Sequence, residues 1–361
     1  MWKKILFVLS LLVGLAAFCA VPMIVGWDDT WNAIGGVGWP CVGVFLLNST
    51  LVLVAPAIGW RIIMRGEGME VSLMDTLRAN LMGLPLNFIT PSMYLGGEPL
   101  KLYYIAGKHR LQKRRVLATI IVAKFQEIAS IVLLGIVAVG VFIWRADYFT
   151  KRNEILLVLL MAVLTVLTAL LFAAFVGNFK LTVRIINFLA RLGFARRRLA
   201  RLRSKAEDME HLIHLACTKR WKTFLAAQFV TLFSSVSVLS RPCIYFYFAR
   251  QGTLLGAEHV SLIYLISNFL NLFTIIPGSL GIFEGGMTAY FATSKELGQA
   301  NGLAFSLLSR ISDLLLVALG TWLIVHLGLS KFAKGVAKGE SQLSEAEIKD
   351  AIQSEEEAAG T

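Results

Sequence analysis

The chain has 361 residues, of which 57% are hydrophobic and only 16% are charged, and its mean hydropathy is +0.69. An ordinary soluble domain carries about 25% charged residues, so this composition excludes a typical cytosolic enzyme and also a disordered or collagen-like chain. The formal net charge of +12 fits basic segments on the cytoplasmic face of a membrane. We expect no nucleic-acid partner.

Six apolar runs are long enough to cross a bilayer as helices, which takes about 20 residues each. In chain order they are approximately Ile5–Val25, Trp39–Trp60, Val116–Trp144, Ile155–Val176, Phe224–Ala249 and Leu303–Leu327. The first run has the character of a signal peptide but lacks a clean cleavage site, so we expect it to remain as a span. The sequence therefore predicts an all-α integral membrane protein with six transmembrane helices.

Two further apolar stretches, Arg78–Tyr104 and Val260–Ala292, are interrupted midway by Pro, Gly, Asn and Glu. Non-helical backbone inside a bilayer must be buried in protein or line a wet cavity, so we predict two broken re-entrant helical hairpins. If only the six spans cross, 26 of the 35 Lys and Arg residues lie on the cytoplasmic side and 5 lie outside. This asymmetry places both termini in the cytoplasm.

Two polar segments complete the predicted organisation. Within a membrane domain of residues 1–330, the insert 178–222 combines an amphipathic stretch with many basic residues. Those charges either fix the topology or hold anionic lipid, and the sequence leaves both open. Residues 331–361 form an acidic cytoplasmic tail, which we expect to be solubilising.

The sequence also matches itself at a constant offset of 186 residues. Adding 186 to the positions of Pro56, Pro91, Glu98, Lys124 and Glu127 gives Pro242, Pro277, Glu284, Arg310 and Asp313, so each pair keeps its residue type or sign of charge. The predicted repeats span about 39–144 and 224–327, with opposite orientations in the membrane. Inverted repeats with broken helices are typical of secondary transporters. A duplicated fold with no transport role is the alternative.

Eight ionisable side chains fall inside the predicted spans and hairpins, and their charges sum to zero: Glu98, Lys101, Lys124, Glu127, Arg241, Glu284, Arg310 and Asp313. One such charge at the bilayer centre costs about 2.5–3.5 kcal/mol, so these groups must pair or contact water. They are either clamps between helices or the lining of a cavity that accepts a charged headgroup.

The start of the helix at Glu98 also suggests anion binding, because a helix N-terminus carries partial positive charge. The predicted substrate-binding residues are Lys101, Lys124, Arg241, Arg310, Asn87, Gly96, Gly97 and Asn271. The predicted counter-charges or proton carriers are Glu98, Glu127, Glu284 and Asp313. The predicted hairpin breaks are at Pro91, Pro277, Gly278, Gly281, Gly285 and Gly286. We find no nucleotide loop or metal-ligand cluster, and we predict no cofactor, metal or catalytic residue.

Two sequence blocks carry a family resemblance. One runs from Asn87 through Leu95-Gly-Gly-Glu-Pro-x-Lys101, and the other reads Pro277-Gly-x-Leu-Gly-x-Phe-Glu-Gly-Gly286, followed by Arg310. Together they resemble the lysylphosphatidylglycerol synthase transmembrane-region family, also called flippase-like domain proteins. The resemblance covers about residues 5–330 and implies a polytopic domain that moves lipids. The segment after Leu329 is too short for the family's aminoacyltransferase domain, so lysine transfer is not expected.

These observations together predict a lipid flippase or transporter in the bacterial inner membrane. It would move an anionic lipid, such as a phospholipid or a polyprenyl-phosphate-like lipid, by alternating access, and it would not be an enzyme. Its partners would be membrane lipids with anionic headgroups. One alternative is an accessory scaffold that docks a lipid-modifying enzyme through the basic insert, and another is a membrane-embedded transferase acting on lipid headgroups.

Overall fold

A computed structural model describes residues 18–90, 96–145, 218–272, 277–293 and 297–327, together with isolated helical positions elsewhere. Within these residues, 18–25 are helical and eight longer helices follow. They are α1 (Trp27–Gly66), α2 (Leu73–Ile89), α3 (Glu98–Lys108), α4 (Lys113–Arg145), α5 (Trp221–Ala249), α6 (Ala257–Leu272), α7 (Ile282–Ala292) and α8 (Gln299–His326), with a 3-10 turn at Pro277–Ser279. The described part of the chain contains no strand, which confirms the all-α class.

Four of these helices, α1, α4, α5 and α8, are long and apolar enough to cross a membrane. They contain the predicted spans that begin at Trp39, Val116, Phe224 and Leu303. Helix α1 starts earlier than predicted and is kinked at Gly38, whose φ of 69° and ψ of 170° are not helical. The remaining predicted spans, the insert 178–222 and the tail 331–361 lie mostly or wholly outside the described residues.

Each predicted hairpin consists of two helices with a non-helical break between them. In the first, α2 ends at Ile89 and α3 begins at Glu98, and the predicted break residue Pro91 lies outside the described residues. In the second, φ is 63° at Gly278 and 78° at Gly281. Glycine adopts these left-handed conformations without a steric penalty, so these two residues keep the backbone out of an α-helix until α7 begins at Ile282.

The helix boundaries repeat at the offset seen in the sequence. Adding 186 to the bounds of α2 gives 259–275, and α6 spans Ala257–Leu272. The same shift moves α3 to 284–294, close to α7 at Ile282–Ala292. It moves the start of α4 to 299, where α8 begins. The two halves therefore share the order of long helix, broken hairpin and long helix.

The first helices of the two halves, α1 and α5, make the most extensive contact between any two described helices. They run antiparallel, because Gly66 lies against Thr223 while Asn48, earlier in α1, donates to the carbonyl of Ser237, later in α5 (3.0 Å). A Cβ atom at Gly66 would overlap the Thr223 side chain. Small residues thus let these two helices approach closely along their length.

Four further helix–helix contacts between the halves come in matching pairs. Helix α2 packs on α8, and α6 packs on α4. Helix α8 also packs on α1, and α4 packs on α5. The equivalent helices are α1 and α5, α2 and α6, and α4 and α8. Under this equivalence the α2–α8 contact corresponds to α6–α4, and the α8–α1 contact corresponds to α4–α5.

Two apolar cores lie at opposite ends of α1. The core at its start is aromatic and includes Phe45, Tyr245, Phe246, Phe291 and Phe305. The core at its end contains methionines and aliphatic residues, including Met64, Met69, Met82, Ile105 and Val116, beside Trp60. Between these cores α1 carries two buried polar residues, Asn48 and Ser49.

Candidate functional site

The eight predicted charged side chains form three clusters, and each side chain has its ion-pair partner inside its own cluster. The first cluster contains Glu98, Lys101, Lys124 and Glu127. The second contains Glu284 and Arg310, and the third contains Arg241 and Asp313. The structure thus provides the pairing that the sequence left open.

The first cluster joins α3 to α4 through lysines. The Nζ atom of Lys101 donates to Glu98 Oε1 (3.1 Å), and Lys124 Nζ lies 3.2 Å from the same oxygen. Lys124 also donates to Glu127 Oε2 (2.7 Å). Glu98 and Lys101 are buried, whereas the Glu127 side chain is 29% exposed. Lys124 therefore shares its charge between a buried and a half-exposed carboxylate.

The start of α3 is held against α2 by close backbone packing. A Cβ atom at Gly97 would overlap the backbone of Gly83, and one at Gly96 would overlap the carbonyl of Leu86. The N–H of Gly97 donates to Asn87 Oδ1 (2.6 Å). We predicted that this helix terminus would present its N–H groups to an anion, but Asn87 already occupies the one at Gly97.

The second cluster is a closed ion pair between α7 and α8. Arg310 Nε donates to Glu284 Oε1 (2.6 Å), and the N–H of Gly281 donates to Glu284 Oε2 (2.7 Å). Arg310 also donates through Nη2 to the carbonyl of Ser279 (3.1 Å) and lies 5.1 Å from the Phe283 ring centre. Glu284 is 0% exposed. Both carboxylate oxygens are occupied, so this pair fixes the hairpin to the span.

The third cluster links α5 to both α1 and α8. Arg241 Nη2 donates to Asp313 Oδ1 (3.3 Å) and to Ser49 Oγ (3.0 Å), while its Nε donates to Asn48 Oδ1 (3.3 Å). The side chain of Arg241 is largely buried, but that of Asp313 is 40% exposed. Arg241 is therefore anchored by two neutral partners and by one accessible carboxylate.

The break of the second hairpin contacts the last turn of α2 in the first hairpin. Gly278 lies directly against the ring of Phe88, near the end of α2, and a side chain at position 278 would overlap that ring. The next residue, Ser279, is fully buried with a φ of 53°, and within the described structure its hydroxyl has no hydrogen-bond partner. The second break and the end of α2 thus form a junction between the halves.

Of the other predicted residues, Asn271 and Pro277 flank the second break, whereas Gly285 and Gly286 lie inside α7, so the breaks predicted at these two glycines are wrong. Asn271 is half-buried at the end of α6, and Pro277 opens the 3-10 turn. Gly286 packs against Leu270 of α6, where a Cβ atom would overlap the leucine. Gly285 has more space, since its nearest neighbour would be Val21 at 3.8 Å.

A fourth cluster, centred on Asp75 of α2, was missed in the sequence analysis. Asp75 is buried, and its carboxylate accepts from Lys108 Nζ (2.5 Å) and from the Tyr104 hydroxyl (3.1 Å), and lies 3.0 Å from His109 Nε2. The sequence contained a signal for this cluster, because Tyr104 and Lys108 lie in the second half of one short helix and His109 follows it directly. The cluster clasps α2 to α3 at the open end of the hairpin.

The electrostatics of this clasp favour the ionised acid. Burial alone would raise the pKa of Asp75, but hydrogen bonds from Lys108, Ser72 and Tyr104 outweigh burial and lower it to about 2. The hydrogen bond to Asp75 in turn raises the pKa of Lys108. Asp75 lies outside the four helices long enough to span a membrane.

Comparison with known proteins places these features in a family. The family described as the lysylphosphatidylglycerol synthase TM region matches residues 7–320. A UPF0104 membrane protein of Methanothermobacter thermautotrophicus is 20% identical over 327 residues, covering 89% of this chain and 95% of the relative. A UPF0104 membrane protein of Methanocaldococcus jannaschii is 21% identical over 309 residues, covering 85% and 90%.

A UPF0104 membrane protein of Pyrococcus horikoshii is 24% identical over 271 residues, which cover 71% of this chain and 77% of the relative. No solved structure matches the chain. The family match extends over most of the chain, from before the first described helix to near the end of α8, and it confirms the resemblance carried by the two hairpin blocks. The chain belongs to the lysylphosphatidylglycerol synthase TM region family.

Proposed function

We propose that this protein transports an anionic lipid across the membrane by alternating access between its two halves. The observation that carries the proposal is a repeated ion pair between a broken hairpin and the span that follows it. Lys124 lies 3.2 Å from Glu98, and Arg310, at the equivalent position 186 residues later, lies 2.6 Å from Glu284. Each half thus links its hairpin to its last helix with the same pair of charges.

An inverted arrangement of the halves is supported by helix direction and by exposed tryptophans. Helices α1 and α5 are antiparallel, as alternating access between inverted repeats requires. Trp39 near the start of α1 and Trp144 near the end of α4 are exposed, as are Trp221 at the start of α5 and Trp322 near the end of α8. Tryptophan prefers the membrane–water interface, so the two pairs fit two opposite interfaces.

The proposed motion separates the hairpin breaks while the central helices stay together. The α1–α5 contact is close, because a residue larger than glycine at Gly66 would overlap Thr223, and in this proposal it stays intact. The junction between Phe88 and Gly278 involves only short segments, so it is where the halves would part. The lipid headgroup would pass the charged clusters while its acyl chains stay in the bilayer.

The finer features of this proposal remain predictions. They include the depth of the hairpins in the bilayer, the bacterial inner membrane, the cytoplasmic termini and the absence of enzymatic activity. The accessory-scaffold alternative depends on the insert 178–222, which falls mostly outside the described residues, and a headgroup transferase would reveal itself by product formation from a donor.

The proposal is tested by reconstitution in liposomes with fluorescently labelled phosphatidylglycerol or phosphatidylcholine. The wild-type chain should accelerate transbilayer movement of the anionic probe above protein-free liposomes. Lys124→Gln should reduce this rate strongly, because it removes the charge shared by Glu98 and Glu127. Lys113→Gln, an equal change at an exposed position on the same helix, is the matched control. A wild-type rate equal to that of protein-free liposomes would refute the proposal.

A further inference from the structure

We infer that the anionic headgroup binds by displacing two half-exposed carboxylates, Glu127 from Lys124 and Asp313 from Arg241. This inference rests on the proposed transport of an anionic lipid and identifies the contacts that the headgroup makes. The ligand chemistry is that of a phosphate-like anion, which accepts charge-assisted hydrogen bonds from lysine and arginine.

The location of these two acids is unusual for a membrane helix. Glu127 is the fifteenth residue of α4 and Asp313 is the fifteenth residue of α8, and the two positions differ by 186. Their side chains are 29% and 40% exposed. An accessible carboxylate in the middle of a span is costly unless it faces water or a polar group. Each half therefore has a half-exposed acid at the same helical level, paired with a cation.

The bonding of the four acids divides them into fixed and displaceable members. Glu284 accepts from Arg310 and from a backbone N–H, and Glu98 is bound by both Lys101 and Lys124. Glu127 and Asp313, in contrast, each have a single cationic partner in the described structure. They can leave that partner and remain at an accessible surface, whereas a displaced Glu284 would remain buried.

The two cations are held in place without these carboxylates. Asn48 and Ser49 retain Arg241 on α1, and Glu98 retains Lys124 on α3. An incoming anion would therefore meet positioned donors. At each cation, the anion would replace a carboxylate as the negatively charged partner.

If an anion competes with Asp313 for Arg241, removing this acid should raise the affinity for the anion. The purified full-length chain in detergent is titrated by calorimetry with short-chain phosphatidylglycerol and, separately, with inorganic phosphate. Asp313→Asn should tighten binding by up to about fivefold, since a partly exposed competing ion pair is lost. Arg241→Gln should weaken binding by about tenfold or more, because it removes a charged donor. If Asp313 had a purely structural role, Asp313→Asn would not tighten anion binding.

Matched variants at other sites control for net charge. Glu70→Gln removes one exposed negative charge, and Arg78→Gln removes one half-exposed positive charge outside the proposed contacts. Neither should change the affinity for either probe. An equal effect of Glu70→Gln and Asp313→Asn would overturn the inference, because it would assign the tightening to overall charge.

The outcomes separate this inference from the proposed function. Tightening toward phosphatidylglycerol in Asp313→Asn supports the inference, whereas tightening toward inorganic phosphate alone overturns the assignment to a lipid headgroup. Unchanged or weaker binding by a folded Asp313→Asn variant overturns the inference as a whole. If the wild-type chain still moves labelled phosphatidylglycerol in liposomes, only the inference fails and the transport proposal stands.

Discussion

The acids and bases at equivalent positions of the two halves are bonded differently. In the first half, Lys124 contacts both Glu98 and Glu127. In the second half, Arg310 contacts Glu284 but not the residue equivalent to Glu127, which pairs instead with an arginine of α5. Both halves thus have an ion pair between the helix after the break and the long helix that follows, whereas the second acid has a different partner in each half.

The residues around each pair explain the difference. Lys101 supplies a second cation to Glu98, whereas the equivalent position in the second half is Met287. Arg241 supplies a cation to Asp313, whereas the position equivalent to Arg241 in the first half is Ala55. The first half thus has one four-residue cluster, and the second half has a closed pair and a separate accessible pair. We expect the second hairpin to be held more rigidly.

The largest expected effect comes from breaking the closed pair. Glu284→Gln leaves the buried Arg310 without its counter-ion, so we expect a loss of about 3–5 kcal/mol of unfolding free energy. Glu127→Gln, at a half-exposed position, should cost far less. The measurement is unfolding of the detergent-solubilised protein followed by its helical circular dichroism. Adding Arg310→Met to Glu284→Gln should restore most of the loss, and a mild effect of the single substitution would contradict the rigid pair.

The second effect concerns how closely each hairpin packs. Gly97→Ala would place a methyl group in the backbone of Gly83, and we expect destabilisation of about 1–3 kcal/mol. Gly285→Ala, near the start of α7, meets an atom only at 3.8 Å and should be tolerated. Thermal unfolding of both variants makes the comparison. Equal melting temperatures would show that the start of α3 can move away from α2.

The third effect compares the clasps at the open ends of the hairpins. Tyr104 binds Asp75 in the first half, and Tyr290, 186 residues later, binds His259 in the second (3.0 Å). Because the pKa of Asp75 is lowered to about 2, its stabilisation is present above about pH 4 and is lost as the pH falls toward 2.

Asp75→Asn should therefore lower stability at neutral pH and flatten the acid dependence. We expect about 1 kcal/mol, because the Lys108 partner is half-exposed and screened by solvent. Melting temperatures measured between pH 2 and pH 7 test this, with Glu70→Gln as the control for loss of one exposed acid. An unchanged acid slope in Asp75→Asn would contradict the clasp.

Much of the architecture was predictable because its signals are local. Apolar runs located the four described spans, and the clustered glycines located the second hairpin break, where Gly278 and Gly281 adopt positive φ. The constant offset matched Glu98 with Glu284 and Lys124 with Arg310. These features depend on residue type and spacing along the chain, which a sequence displays directly.

The partners of the remaining charges could not be predicted, because they depend on packing between distant helices. Lys124 and Glu127 do pair at their spacing of three, but Arg310 and Asp313, at the same spacing, do not. The contact in which the amide oxygen of Asn87 accepts the N–H of Gly97 likewise depends on how α2 packs against the start of α3. The neighbours of a helix determine which partner each of its charged side chains meets, and the spacing of residues along one sequence does not identify those neighbours.

The smallest expected effect on stability is that of Asp313→Asn. It contrasts with the large effect expected for Glu284→Gln. Both substitutions neutralise an acid bound to an arginine. Arg241, however, keeps Asn48 and Ser49 as partners and lies beside an accessible carboxylate, so we expect a change of about 0–1 kcal/mol. Unfolding in detergent at low and high salt measures it, and the small effect should shrink further as salt screens the exposed pair. A loss as large as that of Glu284→Gln would mean that Asp313 clamps α8 to α5, and a residue with that role could not be displaced by an arriving headgroup.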